Sequence, residues 1–196
     1  MPRARLWLAL TAAVLMAVLA PVSATASVTY TDAVKGVETG FQPGVAPGTD
    51  LSSFAGVLSG GLPGVFTAGV LHASNPSTVG ATSLIFPGGQ FKVRNFFTGT
   101  SLTGAFVGGS VTLTAQEEGC RKQLFRIQAS LAGLTGTVNT TPVSGGTATF
   151  SGWLVHFRAL ALTATGATCQ TLLATVTGLP PDGSVFPRGG AFFTFG

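Results

Sequence analysis

The chain has 196 residues, 45% of them hydrophobic and only 8% charged, with a formal net charge of +4. So few charges leave no counterion-releasing basic stripe, which sets nucleic acid aside as a partner. The length suits one domain with one substantial core.

Residues 1–26 have the three zones of a secretory leader: Arg3 and Arg5, an apolar run from Leu6 to Ala20, then Pro21 and small residues ending in Ala24-Thr25-Ala26. A bilayer span needs about 20 apolar residues. The run from Leu6 stops short of that at a proline beside a cleavage-like tripeptide, so it reads as a cleaved helical signal peptide with the mature chain starting at Ser27. Glycine or polar residues interrupt every later apolar stretch, so no membrane insertion of the mature chain is expected. Export places the protein in the extracellular space, or in the periplasm if the source has an outer membrane.

Residues 27–196 are expected to form a single all-β domain. The segment 27–61 is rich in Gly, Pro, Thr and Asp and reads as the less regular part, with short strands at best. Gly60-Gly61-Leu62-Pro63-Gly64 marks a turn, and residues 65–196 form the main sheet region, where β-branched and aromatic residues alternate with glycine-containing turns. The predicted strands are Val65 to His72, Ala81 to Phe86, Gln90 to Phe97, Leu102 to Val107, Ser110 to Gln116, Gln123 to Leu131, Leu134 to Thr140, Thr147 to Phe157, Ala159 to Thr165, Cys169 to Thr177 and Ala191 to Phe195. This is the spacing of an antiparallel β-sandwich or β-barrel. The clearest alternation places Phe125, Ile127, Ala129 and Leu131 on the core face and Leu124, Arg126, Gln128 and Ser130 opposite.

Cys120 and Cys169 are the only cysteines. An even count in an exported chain reads as one disulfide, and closing a loop of about 50 residues would restrict the unfolded chain by roughly 4 kcal/mol. Leu113-Thr114-Ala115, four residues and Cys120 match Leu162-Thr163-Ala164, four residues and Cys169, which suggests two related hairpins with the bridge near the rim.

No nucleophile elbow, zinc-binding histidine pair, phosphate-cradling loop or dinucleotide fingerprint occurs, and neither cofactor nor metal is expected. His156, in a strand, and His72, at a strand end before a loop, are the candidate catalytic residues, each balanced by a plain reading as strand-face or turn polarity. The six mature-chain acids, Asp32 and Asp50 among them, read as turn or loop residues rather than buried catalytic pairs. Lys92 and Arg94, projecting together from one strand, are candidate ligand contacts or protectors of a sheet edge. Phe96, Phe97 and Trp153 are candidate contacts on an apolar face. These features favour a secreted non-catalytic β-domain, an extracellular binding or envelope-associated module with an unidentified ligand or surface partner. The alternative is a small secreted β-barrel enzyme using His156 or His72 with a carboxylate, and a third reading is a purely structural surface component.

Overall fold

The computed structural model describes residues 27–117, 122–157 and 183–196, all in strands, turns and loops. The leader, both cysteines and the strands expected at Ala159 to Thr165 and Cys169 to Thr177 lie outside the described residues. Nine strands run in chain order: β1 (Val28–Pro43), β2 (Thr49–Gly60), β3 (Gly64–Ala73), β4 (Thr82–Ile85), β5 (Gln90–Asn95), β6 (Thr100–Glu117), β7 (Lys122–Val138), β8 (Thr141–Phe157) and β9 (Gly183–Phe195). All pair antiparallel in one sheet.

That sheet closes on itself. Its order is β2-β1-β9-β8-β7-β6-β4-β3-β5, and the further pairings β2–β3 and β6–β5 complete the ring. The short strands β4 and β5 share one place between β3 and β6: β5 pairs with β3 through Val65↔Arg94 to Gly69↔Gln90, and β4 meets it at His72↔Ile85. The result is an up-and-down barrel with eight strand positions, each beside its sequence neighbour, and β9 pairing with β1 joins the two ends of the described chain. Of the two architectures the sequence allows, the barrel is the one formed.

The segment 27–61 departs from expectation. It holds β1 and β2, 16 and 12 residues long, paired from Asp32↔Gly60 to Pro43↔Asp50. Its glycines serve close packing. A Cβ on Gly56 would lie 2.6 Å from the Gly36 Cα and 2.7 Å from the Phe66 ring, so the bare backbone of two facing glycines makes the bed on which that ring rests. Two predicted breaks are also absent. Leu102 to Val107 and Ser110 to Gln116 are one strand, β6, carried through Gly108 and Gly109 by a bulge against β7, and the strands expected at Gln123 to Leu131 and Leu134 to Thr140 are one strand, β7, which has bulges near Leu134 and ends at Val138.

Period-two alternation decides what faces inward. Phe125, Ile127, Ala129 and Leu131 are buried while Arg126, Gln128 and Ser130 are exposed, as the sequence predicts, and Leu124 on the outer face is half-buried. Phe66 stacks on Phe91 with centroids 5.9 Å apart, and Phe91 meets Phe193 at 6.1 Å, so an aromatic layer crosses the barrel from β3 to β9. The end holding the β2–β3, β5–β6 and β7–β8 turns is plugged by Leu62, Leu102, Leu134 and Phe193, each 1% exposed or less. Asp32 is fixed there, its two carboxylate oxygens each accepting from the Leu62 N–H at 3.0 Å.

Candidate functional site

The opposite end of the barrel is built differently. An interior cavity of about 80 Å³ extends from Phe91 and Phe193 to Glu38, Ser52, His72 and Asn75. Its wall is otherwise made of Val, Leu, Ile, Ala and Phe side chains, among them Val34, Phe54, Val70, Ile85, Phe106, Ile127 and Leu154. Eight strands enclose an interior just wide enough for packed side chains or one small ligand. Small residues at inward positions, Ala68, Ala129, Ala148 and Ala191, leave this barrel's space unfilled.

The polar groups enter by the same alternation that builds the wall. On β2 the inward positions are Ser52, Phe54, Gly56 and Leu58; on β3 they are Phe66, Ala68, Val70 and His72. Ser52 and His72 therefore occupy apolar-face positions near the strand ends, and they are 3% and 4% exposed. They satisfy each other. Ser52 Oγ lies 2.9 Å from His72 Nε2, and His72 Nδ1 lies 2.7 Å from the Ala73 carbonyl oxygen. A carbonyl only accepts, so Nδ1 carries the proton; in the neutral ring Nε2 is then the acceptor and the Ser52 hydroxyl donates to it. Glu38 reaches the same cavity from β1, and Asn75, exposed on the β3–β4 loop, marks where it meets the surface. Phe41, mostly exposed, covers His72 at a centroid distance of 6.5 Å.

The residues singled out in the sequence are spread over the barrel. His72 is at the cavity. His156 shares the inward parity of Gly152 and Leu154 instead of facing outward; half-buried at the same end, it contacts Phe125 edge-on at 6.4 Å. Lys92 and Arg94 are exposed on the outer wall, with Phe91 and Val93 beneath them. They guard no edge, because β5 pairs with β3 on one side and β6 on the other. Phe96 and Phe97 lie beyond the end of β5 and are both exposed, in a turn where Asn95 Oδ1 accepts from the Phe97 and Thr98 N–H groups. Trp153 faces outward, with the Arg126 guanidinium 5.8 Å from its ring centroid. Cys120 and Cys169 fall outside the described residues. Among the described residues, no group of three or more His, Cys, Asp or Glu side chains is placed to hold a metal.

Three polar residues stand where the sequence does not place them: Asp32 and Glu38, expected in turns or loops, lie in β1, and Ser52 lies in β2, all at inward positions. Each shares strand parity with buried apolar neighbours, as in Asp32 with Val34 and Ser52 with Phe54. A polar residue in phase with an inward stripe was the signal. It was missed because β1 and β2 did not read as strands.

The fold and cavity define a class, a closed up-and-down barrel with an apolar interior that is polar at one end. Comparison with protein-family models, with curated proteins and with solved structures finds no match.

Proposed function

We propose that this protein is a secreted, non-catalytic binding module that holds a slender apolar ligand inside the barrel, with the ligand's polar end at Ser52 and His72. The observation that carries the reading is the cavity itself: apolar along its length and polar only at Glu38, Ser52, His72 and Asn75. Sites for small ligands have this construction, an apolar lining that supplies affinity and a few polar groups that set orientation. Size narrows the ligand. At about 80 Å³ the space is roughly half that of the apolar cavity of about 150 Å³ known to take benzene, so a short unbranched chain suits it better than a ring system.

The outer wall supports a protein that works in water. Thr67, Thr103, Thr135, Thr147, Thr149 and Ser151 are exposed on it, interspersed with exposed Val57, Val65, Val107 and Phe192, while Phe and Leu fill an inside that a lipid-facing barrel would line with polar groups. The leader and the two cysteines extend the proposal to an exported protein with a Cys120–Cys169 disulfide, its mature mass starting at Ser27 and no free thiol titrating in the unfolded, unreduced state. A mature mass that retains residues 1–26, or two free thiols, would defeat that part.

The test of binding is calorimetric titration of the secreted protein with 1-butanol, a chain short enough for the space. Saturable binding with a negative heat-capacity change is expected. Ala129→Leu, which fills the cavity wall, should weaken it at least about tenfold while retaining the β-type circular dichroism spectrum. Equal binding by the filled variant would place the ligand elsewhere and end this reading.

A second reading, acyl transfer, rests on the Ser52–His72 hydrogen bond, which is the contact between a nucleophile and its base. His72 donates its Nδ1–H to a backbone carbonyl and not to a carboxylate, so an imidazolium formed in the reaction would lack the charge partner that stabilises it in a triad. Turnover of p-nitrophenyl butyrate that disappears in Ser52→Ala would favour this alternative.

A further inference from the structure

We infer that the polar end of the cavity selects a ligand head group that donates hydrogen bonds, a primary alcohol or an amine, over a carboxylate of the same chain length. The inference rests on the cavity reading above and deepens it, and it follows from counting donors and acceptors where water is excluded. The two buried side chains at that end have two polar hydrogens between them, and both are already used. His72 Nδ1–H goes to the Ala73 carbonyl at 2.7 Å, and the Ser52 hydroxyl goes to His72 Nε2 at 2.9 Å. What Ser52 still offers a ligand is its oxygen lone pairs.

The remaining lining groups point the same way. Glu38 brings a carboxylate, which accepts. Asp50 stands directly opposite His72 in the β2–β3 register, so a second acid leaves the sheet on the same face at this rim. Asn75 offers both a donor and an acceptor and favours neither head group. No Lys or Arg is among the described residues that line the cavity. A carboxylate entering here would meet lone pairs and an acid, and an anion buried without donors pays its full desolvation cost. A hydroxyl or amine would complete the set by donating to Ser52 Oγ or Glu38.

The experiment titrates the secreted protein with 1-butanol, butylamine and butanoic acid at neutral pH. Alcohol and amine should bind at least about tenfold tighter than the acid, the scale of one buried hydrogen bond made or missing. Glu38→Gln should weaken the amine alone. His72→Leu returns the Ser52 proton to the cavity, so the preference for alcohol over acid should shrink by about fivefold or more in that variant. Ser52→Ala exposes Nε2, another acceptor, and should leave the acid as weak as before, which keeps the inference testable if His72→Leu fails to fold. Acid binding as tight as alcohol in the unaltered protein, or acid binding improved by Ser52→Ala, would overturn the head-group assignment with the cavity reading intact. Failure of all three ligands to bind would overturn the cavity reading itself.

Discussion

Ser52 on β2 and His72 on β3 form a buried hydrogen bond, Oγ to Nε2 at 2.9 Å, although their register partners are Val70 and Asp50. The contact is diagonal across the β2–β3 pair. It joins two polar groups that the barrel wall would otherwise bury without partners.

Removing both members should therefore cost less than the sum of removing each alone. Ser52→Ala leaves Nε2 buried without its donor, a loss of about 1–3 kcal/mol in urea unfolding. His72→Leu strands the Ser52 hydroxyl similarly. The double variant should be less destabilised than the two single costs added together, by about 1 kcal/mol. Strict additivity would show that the pair does not interact in solution.

Asp32 predicts a pH dependence. Burial pushes its carboxyl above the ordinary 3.8, and the Leu62 N–H, holding the charged form, offsets this in part. A raised value means that the folded chain binds this proton more tightly than the unfolded chain. The group's stabilising contribution is then fully present below the ordinary value and is lost as pH rises through the raised one. Asp32→Asn keeps an oxygen for Leu62 and removes the buried charge. It should be more stable than the parent at neutral pH, with the advantage fading below about pH 4. An advantage that grows in acid would reverse the assignment.

Gly56 tests the glycine bed under Phe66. A Cβ there would stand 2.1 Å from the Lys35 carbonyl oxygen, which is backbone and moves only with β1. Gly56→Ala should cost about 3 kcal/mol or more, or abolish soluble expression. Gly40 on β1 is the control, since its added Cβ would come no nearer than 3.8 Å to Ser53. Gly40→Ala should change stability by less than about 1 kcal/mol.

The β7–β8 turn tests backbone strain. Asn139 and Thr140 both have positive φ, 48° and 69°, between Val138 and its partner Thr141, the pattern of a tight two-residue hairpin turn. Asn tolerates this conformation, and a β-branched Thr does so poorly. Thr140→Gly should raise stability by about 1 kcal/mol, seen as a melting temperature higher by about 2–4 °C.

The all-β class and the facing of Phe125, Ile127 and Leu131 could be read from the sequence alone, because alternation is a local property: neighbouring side chains on a strand must leave on opposite faces. The same rule misled at Phe96 and Phe97, where the strand ends at Asn95 and both rings stand in solvent. Local composition also hid β1 and β2, whose glycines read as loop but are required by the ring of Phe66 arriving from a third strand. Closure of the barrel depends on which strands lie side by side. So do the interior position of Lys92's strand between two partners and the meeting of Ser52 with His72 across 20 residues of chain. Pairing is decided by the total apolar surface that the closed sheet buries, a quantity shared by all the strands and written in no single segment. The tertiary structure alone therefore turned two polar residues in apolar-phase positions into the polar end of a cavity.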